Sequence, residues 1–106
     1  MPTVKEIFDE MPASFVASAV AGMTARILFD ITGEGGGKFL VAIDDGTMKV
    51  IEGGQEPPDL TISAKAQDYI DISTGALNEQ LAFMTGRITA RGNTALAFKL
   101  PRIFKR

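Results

Sequence analysis

The amino-acid sequence predicts an α+β fold, a five-stranded, mostly antiparallel sheet covered on one face by short helices. Three observations lead there. Apolar residues recur at helical spacing up to Val20, whereas from Thr24 onward Ala25, Ile27, Phe29 and Ile31 recur at every second residue, so the period changes from about 3.6 to 2. Glycine, proline, asparagine and aspartate punctuate the chain at short intervals and mark turns between brief elements. The strand patterns are grouped between helical ones instead of alternating with them one for one, which favours an antiparallel α+β arrangement over a parallel doubly wound one.

Each element has its own signal. Thr3 followed by Glu6 is a capping box, because each side chain can satisfy the other residue's free backbone N–H. The helix it starts places Ile7, Phe8, Met11 and Phe15 on one apolar face. Pro12 is expected to break that helix near Met11, leaving a second short helical piece from Ser14 to Val20 that Gly22 ends. In TARILFDIT the residues Ala25, Ile27, Phe29 and Ile31 share one face, and in KFLVAID the matching set is Phe39, Val41 and Ile43. The glycine run GEGGG between them is a hairpin, since a phosphate-binding loop needs a helix after it and here a strand follows. Asp45-Gly46 has the chemistry of a type I′ turn and leads into TMKVIE.

GGQEPP is a loop, because paired prolines cannot join a ladder. DLTISA follows as a strand with Leu60, Ile62 and Ala64 on one side. KAQDYIDIST is a helix presenting Ala66, Tyr69, Ile70 and Ser73 and stopped by Gly75. NEQLAFM is a short helix capped by Asn78, with Leu81, Phe83 and Met84 expected to face the interior and Gly86 closing it. RITAR forms a fifth strand, Ile88 and Ala90 on one face and Arg87, Thr89 and Arg91 on the other. Asn93 caps a last helix whose stripe is Leu96, Leu100, Ile103 and Phe104, kinked or ended by Pro101.

Composition removes several kinds of chemistry. The 106 residues amount to one domain, in which any ligand cavity must take space from the core. There is no Cys and no His, which excludes thiol chemistry and disulfides and removes the commonest metal ligand and the usual neutral-pH base. Asp44-Asp45 is better explained by its turn, and Asp9-Glu10 beside Lys5 by a solvated helix face. No catalytic residue, metal or cofactor is therefore expected. Arg87 and Arg91 are an even number apart in a strand, so they read as an exposed charged stripe and not as a convergent anion site. Nucleic acid is disfavoured as a partner by the net charge of −2, the absence of Trp and the lack of aromatics among these arginines. No apolar run approaches the roughly 20 residues that span a bilayer, and MPTVKEIFDE does not read as a signal peptide. A soluble, cytoplasmic protein is the expectation.

Charge is distributed unevenly. From Gln80 onward there are six bases and no acid, whereas residues 1–79 hold thirteen acids and five bases, so a net +6 segment follows a net −8 body. Such an asymmetry suits an oriented encounter with an anionic surface.

The hairpin with its Asp-Gly turn, the Gly-Gly then Pro-Asp approach to the fourth strand, and above all AFMTGRIT followed by Gly-Asn and an apolar helix ending near Leu-Pro-Arg-Ile-Phe resemble the sterol carrier protein 2 domain, the non-specific lipid-transfer family. The resemblance runs from Val4 to Phe104 and is most specific over Ala82–Asn93. It implies an apolar tunnel between sheet and helices for fatty acid, acyl-CoA, phospholipid or sterol. It puts the wall of that tunnel on Ile7, Phe8, Met11 and Phe15, on Leu81, Phe83 and Met84, and on Leu96, Leu100, Ile103 and Phe104, with Phe29 below them on the sheet. Two positions depart from the pattern: Glu79 stands where Pro is frequent, and Phe104-Lys105-Arg106 replaces a peroxisomal tripeptide, which points to a bacterial-type cytoplasmic protein. The expected function is non-catalytic lipid binding and transfer, with Lys99, Arg102, Lys105 and Arg106 docking transiently on an anionic membrane. The alternative is an interaction module whose exposed apolar helices pack on a partner, a homodimer included.

Overall fold

In the computed structural model, which describes residues 2–15 and 17–99, the capping box closes. The Glu6 N–H donates to the Thr3 hydroxyl oxygen at 3.1 Å and the Thr3 N–H donates to Glu6 Oε1 at 3.2 Å. Two of the donors that a helix start leaves open are thereby satisfied, and helix α1 spans Val4–Ser14. The break expected near Met11 does not occur: Pro12 lies inside α1, and the chain turns extended only at Phe15. So close to the helix end, Pro12 forfeits a single backbone bond, and burial of Val4, Phe8 and Met11 along one face holds the turn. The second helical piece is a 3₁₀ turn at Ala17–Val20, shorter than expected.

Five strands form where the sequence places them. They are β1 (Thr24–Thr32), β2 (Gly37–Asp44), β3 (Thr47–Glu52), β4 (Leu60–Lys65) and β5 (Ile88–Gly92). They form one sheet in the order β3-β2-β1-β4-β5. All neighbours are antiparallel except β1 and β4, so the sheet is mixed, with the three-stranded meander intact. Phe29 stands opposite Phe39 and beside Ile62, and the inward sets of β1, β2 and β4 are all buried. At the second hairpin Asp45 and Gly46 take φ of 37° and 84°, the two positive values that a type I′ turn demands.

The connection from β3 to β4 has to cross two strands. Residues 53–59 do so over the sheet face opposite the helices. The Gly53 N–H donates to the Lys38 carbonyl at 2.8 Å, and the Asp59 N–H donates to the Arg26 carbonyl at 2.8 Å. Arg26 fixes the crossing segment: its backbone N–H donates to Asp59 Oδ2 at 2.8 Å, its Nε to Glu56 at 2.7 Å and its Nη1 to Asp44 at 3.2 Å. Gly54 lies so close to the sheet that a Cβ there would sit 2.7 Å from Leu40 Cβ. Leu40 and Ala42 are buried in consequence, although they alternate with the inward set. The sequence marks this stretch as a loop; that it covers the second face emerges only from the strand order.

Helices α2 (Ala66–Ser73), α3 (Glu79–Met84) and α4 (Thr94–Ala97) join α1 on the first face. α1 packs on β3, β2 and α2; α2 on β4 and β1; α3 on β5; α4 on β4 and β5. α2 buries Ala66, Tyr69 and Ile72, with Ile70 only half-buried, so Ile72 takes the inward place expected of Ile70. No helix among the described residues is long and apolar enough to cross a membrane.

Candidate functional site

Phe8 sits at the centre of the space between α1 and the sheet, with 0% of its surface exposed. Its ring stacks on Phe39 at 4.2 Å between centroids and on Tyr69 at 5.1 Å, and meets the edge of Phe29 at 5.2 Å. Phe29 and Tyr69 also meet edge-on at 5.8 Å. α1, β1, β2 and α2 thus each contribute one ring to a single cluster. Aromatic pairs of this kind contribute roughly 0.5–1.5 kcal/mol each beyond the area they bury. Met11 is buried in the same core, and Ile7 and Phe15 pack against it half-buried. None of the buried described residues is charged. On α2 the residue Ser73 is half-buried, and its hydroxyl oxygen is shut off from solvent with no hydrogen-bond partner among the described residues.

α3 is built as expected and oriented otherwise. Asn78 Oδ1 accepts from the Gln80 N–H at 2.8 Å and the Leu81 N–H at 3.2 Å, and the Arg87 N–H returns to the Ala82 carbonyl at 2.9 Å as the chain enters β5. The expectation that Leu81, Phe83 and Met84 face the interior is corrected: Ala82 is the buried residue, and the other three are 54%, 38% and 82% exposed. Consecutive helical residues are turned about 100° from one another, so four apolar residues in a row cannot share one face. The small Ala82 lets the helix sit close to β5.

α4 follows the same logic. Asn93 Oδ1 accepts from the Leu96 N–H at 3.3 Å, and Leu96 is buried. Just beyond, Phe98 is 83% exposed and Lys99 is exposed as well. Phe98 lies off the stripe that Leu96 begins, so its spacing carries no signal of a role. The expectations placed on Leu100, Pro101, Arg102, Ile103, Phe104, Lys105 and Arg106 lie outside the described residues.

The structure therefore gathers Phe8, Phe29 and Met11 in the core, leaves Ile7 and Phe15 at its rim, and sets Leu81, Phe83 and Met84 on the surface. Phe39 and Tyr69 belong to the same cluster; both were legible as inward-facing, but nothing in their spacing marked them as central. Arg87 and Arg91 are exposed, as the stripe requires. The candidate carboxylate pairs are engaged elsewhere. Asp44 binds Arg26, whose guanidinium is held above its ordinary pKa by the hydrogen bond it donates to Glu56 and then by that it donates to Asp44. Asp9 binds Lys5 at 3.1 Å and raises the ammonium pKa, chiefly through that hydrogen bond.

With this geometry in view, comparison with known proteins is informative. A family model described as the SCP-2 sterol transfer family matches residues 4–105. Hydroxysteroid dehydrogenase-like protein 2 of Rattus norvegicus is 30% identical over 101 residues, which are 94% of this chain and 19% of that protein. The human protein of the same name matches equally, over 24% of its length. The chain thus spans about a fifth to a quarter of these curated relatives. Among solved structures, palmitated SCP2L2 from Aedes aegypti superposes with a TM-score of 0.74 at 26% identity, covering 93% of this chain and 91% of that one. A variant of the sec-alkyl sulfatase PisA1 reaches a TM-score of 0.83 at 14% identity over 17% of its chain, a likeness of fold alone.

Proposed function

Because this chain belongs to the SCP-2 sterol transfer family, we propose that it is a non-catalytic carrier that holds the acyl chain of a lipid in an apolar tunnel between the helices and the sheet. The likeness to palmitated SCP2L2, over nearly the whole of both chains, is the observation that supports this reading most directly. The chemistry is burial. Removing an acyl chain from water gains about 0.8 kcal/mol per CH₂, so a long chain needs no precisely placed polar partner and the ligand range can be broad. Fatty acid, acyl-CoA, phospholipid and sterol-like lipids all fit that requirement.

In this reading the tunnel is bounded on the sheet by Phe29, on α1 by Ile7, Phe8, Met11 and Phe15, and on α4 by Leu96, with Leu100, Ile103 and Phe104 continuing the wall. Leu81, Phe83 and Met84 form its mouth, in keeping with their place on the surface beside buried Ala82. The carrier would meet an anionic membrane transiently through Lys99, Arg102, Lys105 and Arg106.

Titration with a fluorescent fatty acid in the absence of vesicles tests the carrier directly, and saturable binding is the expected result. Phe83→Asp, placing a carboxylate where an acyl chain must pass, should abolish that binding while circular dichroism shows the fold retained. A folded variant that binds as tightly as the parent would remove Phe83 from the site, and a parent that binds no fatty acid would remove the carrier function altogether.

A further inference from the structure

Most of the large apolar side chains exposed among the described residues fall on one sheet edge. Leu81, Phe83 and Met84 ride on α3 and Phe98 follows α4, and both helices pack on edge strand β5; only Ile51, on β3 at the opposite edge, stands apart. Isolated exposed apolar residues are ordinary, but four large ones on neighbouring elements of a small domain mark a contact surface. The formal charges from Gln80 through Lys99 have one sign. Arg87 comes shortly after α3 and Lys99 follows Phe98 directly, both exposed, while Arg91 lies on the face of β5 turned away from the helices. The last acid before this stretch is Glu79, half-buried in the first turn of α3, and none occurs from Gln80 through Lys99.

We infer that α3 and Phe98 form an apolar ridge that inserts among the headgroups of an anionic bilayer, with Arg87 and Lys99 on either side meeting lipid phosphates. The inference rests on the membrane visit proposed above and names the element that enters the bilayer, which basic residues alone do not supply. Apolar insertion and electrostatic attraction add, and each is weak by itself for so small a surface. A second copy of this chain meeting the same face fits less well. A second copy would bring its own cations against these, and the observed cations call for a surface of opposite sign.

Co-sedimentation with phosphatidylcholine vesicles, with and without phosphatidylserine, tests it using the intact chain. The parent should bind the anionic vesicles, more weakly as salt rises, and leave the neutral ones. Leu81→Gln/Met84→Gln/Phe98→Gln changes only well-exposed positions, so the fold should persist by circular dichroism, and vesicle affinity should fall by about tenfold or more at every salt concentration. Arg87→Gln/Lys99→Gln should lose affinity mainly at low salt. Undiminished vesicle binding by the triple variant, or no vesicle binding by the parent, overturns the inference. So does a parent that sediments as a stable dimer and a triple variant that is monomeric, since the ridge would then be a protein interface. Fatty-acid binding by the parent, measured without vesicles, is a separate readout, so the carrier reading and the docking surface fail separately.

Discussion

Ser73 shows how far one residue can be read in advance. Its place on the inward side of α2 follows from the spacing of Ala66, Tyr69 and Ser73, but whether its hydroxyl finds a partner depends on what the fold sets opposite, which no local pattern encodes. In the structure it finds none among the described residues. A buried hydroxyl without a partner costs roughly 1–3 kcal/mol, and alanine is also the better helix former by a few tenths. Ser73→Ala should therefore stabilise the protein by about 1 kcal/mol, seen as a higher urea midpoint at unchanged slope. An unchanged or lower midpoint would show that the hydroxyl is satisfied in solution. Gly92 makes the complementary point. It adopts φ of 104°, and a Cβ there would stand 2.5 Å from the Asp59 carbonyl oxygen, a closeness set by the end of the crossing segment and not by any pattern around residue 92.

Elements were legible to the degree that they carry a long period. The nine residues of β1 alternate in burial without interruption, and its inward set, like that of β2, is buried as expected, although β2 is buried on both faces from Phe39 to Ile43. The six residues of α3 contain Leu81, Ala82, Phe83 and Met84 in a row, which point to nearly every side of a helix, so the sequence could not say which would be buried. Strand order was equally hidden: the parallel pairing of β1 with β4, and with it the covering of Leu40 and Ala42 by residues 53–59, depends on a crossing between distant segments. α1 lies between these extremes. Its capping box and apolar face were plain, whereas its continuation through Pro12 follows from packing. That packing centres on Phe8, which touches rings from β1, β2 and α2. Phe8→Ala should cost about 3–5 kcal/mol, by transfer and cavity together. Typical native stability is only about 5–15 kcal/mol, so the variant should be visibly marginal in denaturant unfolding. A loss below about 1 kcal/mol would mean that the site collapses around the deletion and that α1 is not clamped through this ring.

At the scale of the whole molecule the decisive feature is polarity of charge, and it was fully legible, since counting needs no structure: thirteen acids and five bases up to Glu79, six bases and no acid after it. The fold gives the count a direction. β5 and β3 are the two edges of the sheet; the basic stretch begins beside β5, while α1, with Glu6, Asp9 and Glu10, packs toward β3. An anionic bilayer would orient such a molecule β5 edge first, with attraction of roughly 1 kcal/mol for each base near the surface, screened beyond about 10 Å at 0.1 M salt. If the carrier exchanges its cargo in that orientation, charge should govern the rate of exchange and not the strength of cargo binding. Replacing Lys99, Arg102, Lys105 and Arg106 by Gln should then slow lipid transfer from phosphatidylserine-containing vesicles, remove most of its salt dependence, and leave the affinity for dispersed fatty acid nearly unchanged. Because the apolar ridge on α3 is intact in this variant, transfer should slow without ceasing, and high salt should bring the parent down to the same rate. Equal transfer rates for parent and variant at low salt would show that these four bases form a solvated face and that docking depends on the apolar ridge and Arg87 alone.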